Sequence, residues 1–399
     1  MADLHESAAL ESALDAPMSA FAQVIFGHMA RADQRRWAEV YLRGLLTTRG
    51  RKSVRRIAAT VSRSPTAAMS LQQFVNASPW EWAPTRRELT RLAERGMNPR
   101  AWTIGNAILP KRGDYSCGVH RRFVPAMGRS INCQVGTGIF VASDDMAIPV
   151  DWRLLLPEEW TEDPGKRLRA RIPEALGCRP MWAQVLNLVD TLASRTTRPR
   201  VPVVADMSEC PEAEAFLHGL SRRGHQFVVA VRPALQVVGR AAESHRVVRG
   251  ASLGRVQRMA TARDVVRRPG ARQWLAAGEG RHPQVQFLSR PVGLPGVGHT
   301  YRIFSEWYSE DAPSPRVWIT NLVDHHIDHL MALTRLHAGT LAALVSLERD
   351  FGLVDFEGRS FPGWHHHMTL TSAAYAYSRL SRSAGAGGEW LDLSTCVSV

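Results

Sequence analysis

The chain has little lysine and few cysteines, and both shortages limit what it can be. Only three of its 50 basic residues are lysines, an imbalance typical of GC-rich codon usage rather than of a particular function. The five cysteines are scattered and include no Cys-x-x-Cys pair. This excludes a disulfide framework and a cysteine-rich zinc module. We expect free thiols in a reducing compartment.

Long apolar runs and targeting signals are also missing. No uninterrupted run approaches the roughly 20 apolar residues that a membrane span needs. The beginning of the chain, MADLHESAALESALDAP, is acidic and lacks the basic and apolar regions of a signal peptide. We therefore expect a cytoplasmic protein with no membrane partner.

Several common catalytic motifs do not occur in the sequence. There is no G-x-x-x-x-G-K-[ST], no strand-linked G-x-G-x-x-G, no G-x-S-x-G and no H-E-x-x-H. Each of these motifs carries a specific chemistry, from phosphate binding to zinc-dependent hydrolysis. ATP, dinucleotide and zincin chemistry thus find no support.

The composition that remains is that of a folded, basic protein. The 399 residues are 45% hydrophobic and 22% charged, enough for a sizeable core in two or three structural units. The formal charge is +13. A positive balance of this size favours a polyanionic partner, most simply nucleic acid.

The first hundred residues predict a disordered tail over 1–17 and a helical domain over 18–96. Apolar residues recur at helical spacing in DQRRWAEVYLRGLL and SVRRIAATVS, with Asp33 and Ser53 placed as N-caps. The exposed faces carry clustered basic residues, namely Arg35, Arg36, Arg43, Arg51, Lys52, Arg55 and Arg56. A solvated charged face is the plain interpretation, and a DNA-binding surface is the functional one.

From Ala101 onward the pattern changes to short strands alternating with helices. This order predicts an α/β fold with a mixed sheet flanked by helices. We place the core at 97–238 and 298–380, with helices near 180–194, 211–223, 327–347 and 367–381. The Arg- and Gly-rich stretch 239–297 is predicted to be an insertion before the last core helix. Residues 381–399 are predicted to be a flexible tail.

Three blocks stand out for possible chemistry. They are GLVDFEGRSFPGWHHHM, the pair KRGDYSCGVHRRF and GRSINCQVGTGIFVAS, and VPVVADMSEC. In the last block Asp206 ends an apolar strand, where a carboxylate holds a metal or caps a helix. Together with DQRRWAEVYLRGLL, the blocks resemble the DDE transposases of bacterial insertion sequences, in particular the insertion sequence seven-oh-one group. The resemblance runs from about Arg31 to Leu380.

That resemblance implies an RNase H-like domain that cuts and joins DNA. Members of the group use two divalent metals held by two Asp and one Glu. Two metals about 3.5–4 Å apart activate the attacking oxygen and stabilise the leaving one, so several carboxylates are required.

The resemblance also assigns each of the three acids to a position in this chain. Two of these positions hold no acidic residue. The first Asp falls on Gly105, with the uncharged Asn106 beside it, and the second falls on Asp206. The Glu falls on Leu341, and the nearest acid, Glu348, lies about 10 Å further along the helix. The expectation is an incomplete catalytic triad that binds no Mg²⁺ or Mn²⁺ and no longer cleaves DNA.

Two histories fit an incomplete triad, a decayed transposase and a repurposed scaffold. The partner expected is DNA. The alternative is a metal-independent enzyme on a small molecule, with a pocket around Asp206. His120 could also act as a base toward Cys117, although residues three apart on a strand face opposite sides. His325 and His329 have a spacing that can hold zinc. Whether the protein forms a homodimer is left open.

Overall fold

The computed structural model describes residues 17–239, 258–267, 272–275, 285–296, 298–307 and 316–384. The helices are α1 (Pro17–Phe26), α2 (Ala32–Thr47), α3 (Val54–Val61), α4 (Ala67–Asn76), α5 (Trp82–Gly96), α6 (Glu158–Glu162), α7 (Pro164–Ala170), α8 (Met181–Arg195), α9 (Ala213–Arg222), α10 (Ala262–Arg267), α11 (Ile327–Asp350) and α12 (Phe361–Ala384). The strands are β1 (Ala101–Pro110), β2 (His120–Val124), β3 (Arg129–Ala142), β4 (Ala147–Leu154), β5 (Val203–Met207), β6 (Phe227–Val231), β7 (Gln236–Gly239), β8 (Arg258–Thr261), β9 (Arg272–Leu275), β10 (Val285–Gly293), β11 (Tyr301–Trp307) and β12 (Val317–Thr320).

These elements confirm the predicted α/β fold, a mixed sheet flanked by helices. Each helix predicted after residue 97 is present, and α12 begins six residues before its predicted start and continues to Ala384. The cap at Ser53 is confirmed, because its side chain accepts a hydrogen bond from the Arg56 amide. The cap at Asp33 is wrong. Asp33 lies in the first turn of α2 and pairs with Arg31 instead. The predicted tails, apart from Pro17 and residues 381–384, lie outside the described residues.

The first of two compact units comprises the described residues up to 200 and from 338 onward. In its sheet, β3 pairs antiparallel with β1, β2 and β4. The register places Gly105 opposite Gly138 and Asn106 opposite Thr137. Because side chains alternate between the faces of a strand, Gly105 and Asn106 point to opposite sides of β1.

Helix α12 is the centre of the helical layer in this unit. It packs against α2, α4, α5 and strand β4, and nearly all of its residues from Trp364 to Tyr377 are buried. A helix that is buried all round carries no polar stripe. The helices of the predicted N-terminal domain lie in the same compact unit as β1–β4, and three of them pack on α12.

The second unit comprises the described residues from 201 to 337. Its strands follow the order β5, β6, β12, β11, β10, β7 and β8, and β9 pairs with β10. Strands β5 and β6 are parallel and are connected through α9, whereas the other pairs are antiparallel. Helix α10 packs on β10 and β11.

The predicted insertion, 239–297, is described only in part. Its described residues include β8, α10, β9 and β10, and β10 pairs with β7, β9 and β11 in the sheet of the second unit. Residues 240–257, 268–271, 276–284 and 297 lie outside the described residues. The insertion itself stays a prediction.

Helix α11 begins in the second unit and ends in the first. Within the described residues it is the one helix long and apolar enough, by length and composition, to cross a membrane. Its most apolar window is 61% buried inside the protein. A core helix passes the same test, so this is weak support for a span.

Candidate functional site

Gly105 occupies a closely packed point between β1 and α11. A β-carbon built on Gly105 would lie 2.8 Å from Leu344 Cδ1, 3.1 Å from Thr340 Cγ2 and 3.2 Å from Phe140 Cε2. The hydroxyls of Thr103 and Thr340, both fully buried, are hydrogen-bonded to each other in the same layer. A side chain at the position to which the resemblance assigns the first Asp would therefore require Leu344, Thr340 and Phe140 to move.

Leu341 lies on another face of α11 from the residues that contact Gly105. Its side chain is 43% exposed, and Val345 one turn later is 59% exposed. Neighbouring helix positions differ by about 100° in direction, so Thr340 and Leu344 face β1 while Leu341 does not. Glu348 is half-buried, and burial raises the pKa of its carboxyl group.

Asn106 is exposed on the side of β1 opposite to Gly105. Its carbonyl oxygen accepts a hydrogen bond of 2.9 Å from the Thr137 hydroxyl. Its amide nitrogen lies 3.9 Å from the Met181 sulfur on α8. Asn106 thus offers a neutral amide that already has partners and cannot replace an anionic ligand.

Asp206, the acid that is present, belongs to the second unit and is the second-to-last residue of strand β5. Its Oδ1 accepts hydrogen bonds from the Ser208 amide at 2.9 Å and the Ser208 hydroxyl at 2.6 Å. Its Oδ2 lies 3.4 Å from the Arg316 guanidinium. The helix-cap interpretation is wrong, because Glu212 is the residue that precedes α9. Asp206 instead closes a turn at the strand end and pairs with an arginine that the sequence analysis did not single out.

The residues at the three acid positions do not fit a two-metal centre. Such a centre needs several anionic oxygens, since Mg²⁺ dehydrates reluctantly. The positions hold a glycine, an aspartate bound to an arginine, and a leucine. Over the described ranges, no group of three or more His, Cys, Asp or Glu residues could hold a metal ion. His325 and His329 have ring centroids 5.1 Å apart, but among the described residues they belong to no group of three possible ligands.

The structure contradicts the pairing of Cys117 and His120 as nucleophile and base. Cys117 is fully buried, and burial raises the pKa of its thiol to about 12. A thiol with so high a pKa forms almost no thiolate at neutral pH. His120 Nδ1 contacts the Gly118 carbonyl oxygen at 3.0 Å instead.

Of the basic residues predicted to bind DNA, four lie at the surface of helices α2 and α3. These are Arg35, Arg36, Arg55 and Arg56. Arg35 also donates to the carbonyl oxygens of Met29 and Ala30, and Arg56 to that of Arg49. Hydrogen bonds of this kind hold the guanidinium groups in place without cancelling their charge.

The other three predicted basic residues are engaged or buried. Arg43 is half-buried and lies 3.7 Å from Glu39, and Arg51 donates to Glu357 at 2.8 Å. The prediction that Lys52 is exposed is wrong. Its side chain donates to the Thr48 carbonyl oxygen and is only 5% exposed, and burial lowers the pKa of its amine.

A buried charge cluster that the sequence analysis missed lies in the first unit. Asp151 on β4 is buried, and Arg86 on α5, which is 1% exposed, donates to its Oδ1 at 2.5 Å. Arg153 donates to the same oxygen at 3.0 Å, and Arg195 on α8 donates to Oδ2 at 2.9 Å. One carboxylate thereby joins three guanidinium groups from a strand and two helices.

The protonation states follow from the same contacts. Burial acts to raise the pKa of Asp151, but Arg86, Arg153 and Arg195 together outweigh burial and lower it. Burial lowers the pKa of Arg86 to about 10, against the opposing charge of Asp151. At neutral pH the cluster therefore holds one negative and three positive charges.

The three histidines of GWHHH are all buried on α12. His365 Nδ1 lies 3.1 Å from an Arg86 nitrogen. A guanidinium only donates, so this ring nitrogen is the acceptor of a neutral imidazole. His366 contacts the carbonyl oxygens of Val75 and Trp80, each at 2.8 Å, and its ring stacks on Trp80. These histidines join the N-terminal helices to α12.

His367 has two partners that suit a neutral ring. Its Nε2 lies 3.0 Å from the Gly352 carbonyl oxygen and its Nδ1 lies 3.2 Å from the Tyr41 hydroxyl. Burial, assisted by the charge of Lys111, lowers the pKa of His367 to about 4. The folded protein therefore releases a proton that the unfolded chain binds near neutral pH.

Acidification is expected to destabilise the fold through His367. Because the folded pKa of about 4 lies below the unfolded value of 6.5, stability falls as the pH drops from about 6.5 toward 4. The slope for one histidine is at most about 1.4 kcal/mol per pH unit. Urea unfolding at about pH 7 and about pH 5 should show a smaller difference for His367→Gln than for the parent. Met69→Gln, a control at an exposed side chain that does not titrate, should keep the parental difference, and an equal difference in His367→Gln would contradict this assignment.

The described elements define an α/β protein with a mixed sheet flanked by helices. The model of the DDE superfamily endonuclease family matches residues 24–286, about two thirds of the chain. The chain therefore belongs to the DDE superfamily endonucleases, which confirms the predicted DDE relationship.

A cryo-EM structure of the piggyBac transposase synaptic complex with hairpin DNA matches with a TM-score of 0.45 and 12% sequence identity. The match covers 90% of this chain and 68% of that chain. No curated protein sequence matches the chain.

Proposed function

We propose that the chain is a DNA-binding member of the DDE family that has lost metal-dependent cleavage. Within that family we place it in the insertion sequence seven-oh-one group, with an RNase H-like core and a cytoplasmic location. The observation that carries the proposal is Gly105: the first acid position holds no carboxylate, and any side chain there would press on Leu344, Thr340 and Phe140.

The other two acid positions support the same conclusion. Leu341 offers no oxygen, and the carboxylate of Asp206 is engaged by Ser208 and Arg316. A single carboxylate that already has a cationic partner is a poor ligand for Mg²⁺ or Mn²⁺. We therefore assign no metal cofactor to the protein.

DNA binding is supported by charge. The chain carries a net charge of +13, and Arg35, Arg36, Arg55 and Arg56 are exposed on two consecutive helices. Each phosphate that an arginine neutralises releases a condensed counterion, which stabilises the complex at low salt.

Affinity for duplex DNA is expected to fall steeply with salt, and less steeply once two of these arginines are removed. The double variant Arg36→Gln, Arg55→Gln should bind a mixed-sequence duplex more weakly. The slope of log K against log[salt] should be smaller by about 2, because two phosphate contacts are lost. Fluorescence anisotropy at several salt concentrations measures both quantities.

Arg91→Gln is the matched control, since Arg91 is an exposed arginine of the same unit that pairs with Glu88. It should retain the parental slope. The DNA-binding proposal is wrong if the parent binds no duplex, or if the double variant and the control have the same slope.

The alternative, an enzyme on a small molecule with a pocket around Asp206, is not favoured. Both carboxylate oxygens of Asp206 have partners inside the second unit. A general base needs an oxygen that can reach the substrate's proton.

A further inference from the structure

A cavity of about 490 Å³ opens inside the first unit, beside the buried charge cluster. Its lining comes from β4, α8, the loop before α8 and the beginnings of α5 and α12. Pockets for small molecules typically measure about 300–1,000 Å³ and combine apolar walls with a few polar groups. By size, this cavity falls among them.

One wall of the cavity is flat and aromatic. The ring of Trp82 stacks on His365, with centroids 4.6 Å apart and planes 8° apart. Phe361 meets both rings edge-on. Leu154 and Leu156 extend the apolar surface. A planar apolar group is complementary to this wall, since aromatic rings pack against flat partners or edges.

Other residues of the lining are cationic. Arg153, Arg179 and Arg195 line the cavity and Asp151 is its one carboxylate. The negative charge of Asp151 is already paired with the guanidinium group of Arg86. Arg195 donates to Asp151 through one nitrogen, and its other N–H groups have no hydrogen bond to protein in the part of the chain that the structure describes.

Arg179 adds a second open donor. It is exposed at the cavity, and within the described ranges its guanidinium has neither a hydrogen bond nor an ion pair with a protein group. His365 adds no charge, because burial and the neighbouring Arg86 hold its pKa well below the usual value. The lining therefore carries three guanidinium groups and one carboxylate.

We propose that this cavity binds a small monoanion with a flat apolar body, of the aromatic carboxylate class. The carboxylate lies toward Arg179 and Arg195, and the ring lies against Trp82 and Phe361. A carboxylate matches the planar donors of a guanidinium group. This ligand site is additional to DNA binding, which uses the arginines of α2 and α3.

Isothermal titration calorimetry of the full chain with 2-naphthoate tests the proposal. Its neutral analogue, 2-naphthamide, has the same ring system and no charge. We expect saturable binding of one 2-naphthoate per chain and at least about tenfold weaker binding of 2-naphthamide, because the charge-assisted hydrogen bonds are lost.

Two variants and one control locate the binding. Arg179→Gln should weaken 2-naphthoate binding about tenfold, and Ala175→Trp, which fills the cavity from an exposed lining position, should abolish it. Arg198→Gln, at an exposed arginine outside the lining, should bind as the parent does. Circular dichroism and thermal melting establish that each variant is folded.

Either of two results overturns the proposal. One is the absence of saturable 2-naphthoate binding to the folded parent. The other is equal binding by the parent, Arg179→Gln and Ala175→Trp. Because the assay contains no DNA, its outcome is independent of the outcome for duplex binding.

Discussion

Replacing Asp151 by Asn is expected to lower the free energy of unfolding by about 3–5 kcal/mol. The change keeps the shape of the side chain but removes the charge that faces Arg86, which is fully buried. Removing one partner of a buried ion pair leaves the other charge uncompensated in a medium that solvates it poorly. Arg153 and Arg195 lose the same partner.

Urea unfolding at neutral pH measures this loss. Asp144→Asn is the matched control, because Asp144 pairs with Arg100 at the surface and not in the interior. Exposed pairs contribute about 0–1 kcal/mol, so this variant should stay close to the parent. A loss below about 1 kcal/mol for Asp151→Asn would show that the cluster does not stabilise the fold.

Gly105→Asp is expected to lower the free energy of unfolding by at least about 3 kcal/mol. A β-carbon added at this position would lie 2.8 Å from Leu344 Cδ1. Overpacking of a core costs about 1–3 kcal/mol, and a buried carboxylate without a partner adds a further cost. Leu341→Glu, at an exposed position, should change stability by only about 0.5 kcal/mol.

Gly105→Ala separates the two contributions to that loss. It carries the steric cost without the charge, so its stability should lie between those of the parent and Gly105→Asp. Thermal and urea unfolding of the three proteins measure the order. If Gly105→Asp is as stable as the parent, the site has room for a carboxylate and the packing argument fails.

The secondary structure could be predicted from the sequence because its determinants are local. The sequence of strand β1 is a run with β-branched and aromatic residues, which predicts a strand. The cap at Ser53 depends on the amide of a residue only three positions later. The motif positions of Gly105 and Asp206 could be counted along the chain. The DDE family relationship followed from blocks that are contiguous in sequence.

Features made by distant residues could not be predicted in this way. The Asp151 cluster joins Arg86, Arg153 and Arg195, which come from three elements, and each arginine alone resembles a surface residue. Lys52 is buried beneath the loop that precedes α12: Asp355 accepts a hydrogen bond from its backbone amide, and Gly352 packs against its side chain. The space around Gly105 likewise depends on α11, more than 230 residues later in the chain.

Incubation of supercoiled plasmid with the parent protein and with Asp206→Asn, in the presence of Mn²⁺ and at a salt concentration that permits DNA binding, tests the central claim most directly. With one carboxylate of three remaining, neither protein should form nicked or linear plasmid above the level of a reaction without protein. Nicking by the parent that Asp206→Asn abolishes would contradict the account, because it would show an active metal centre built around Asp206.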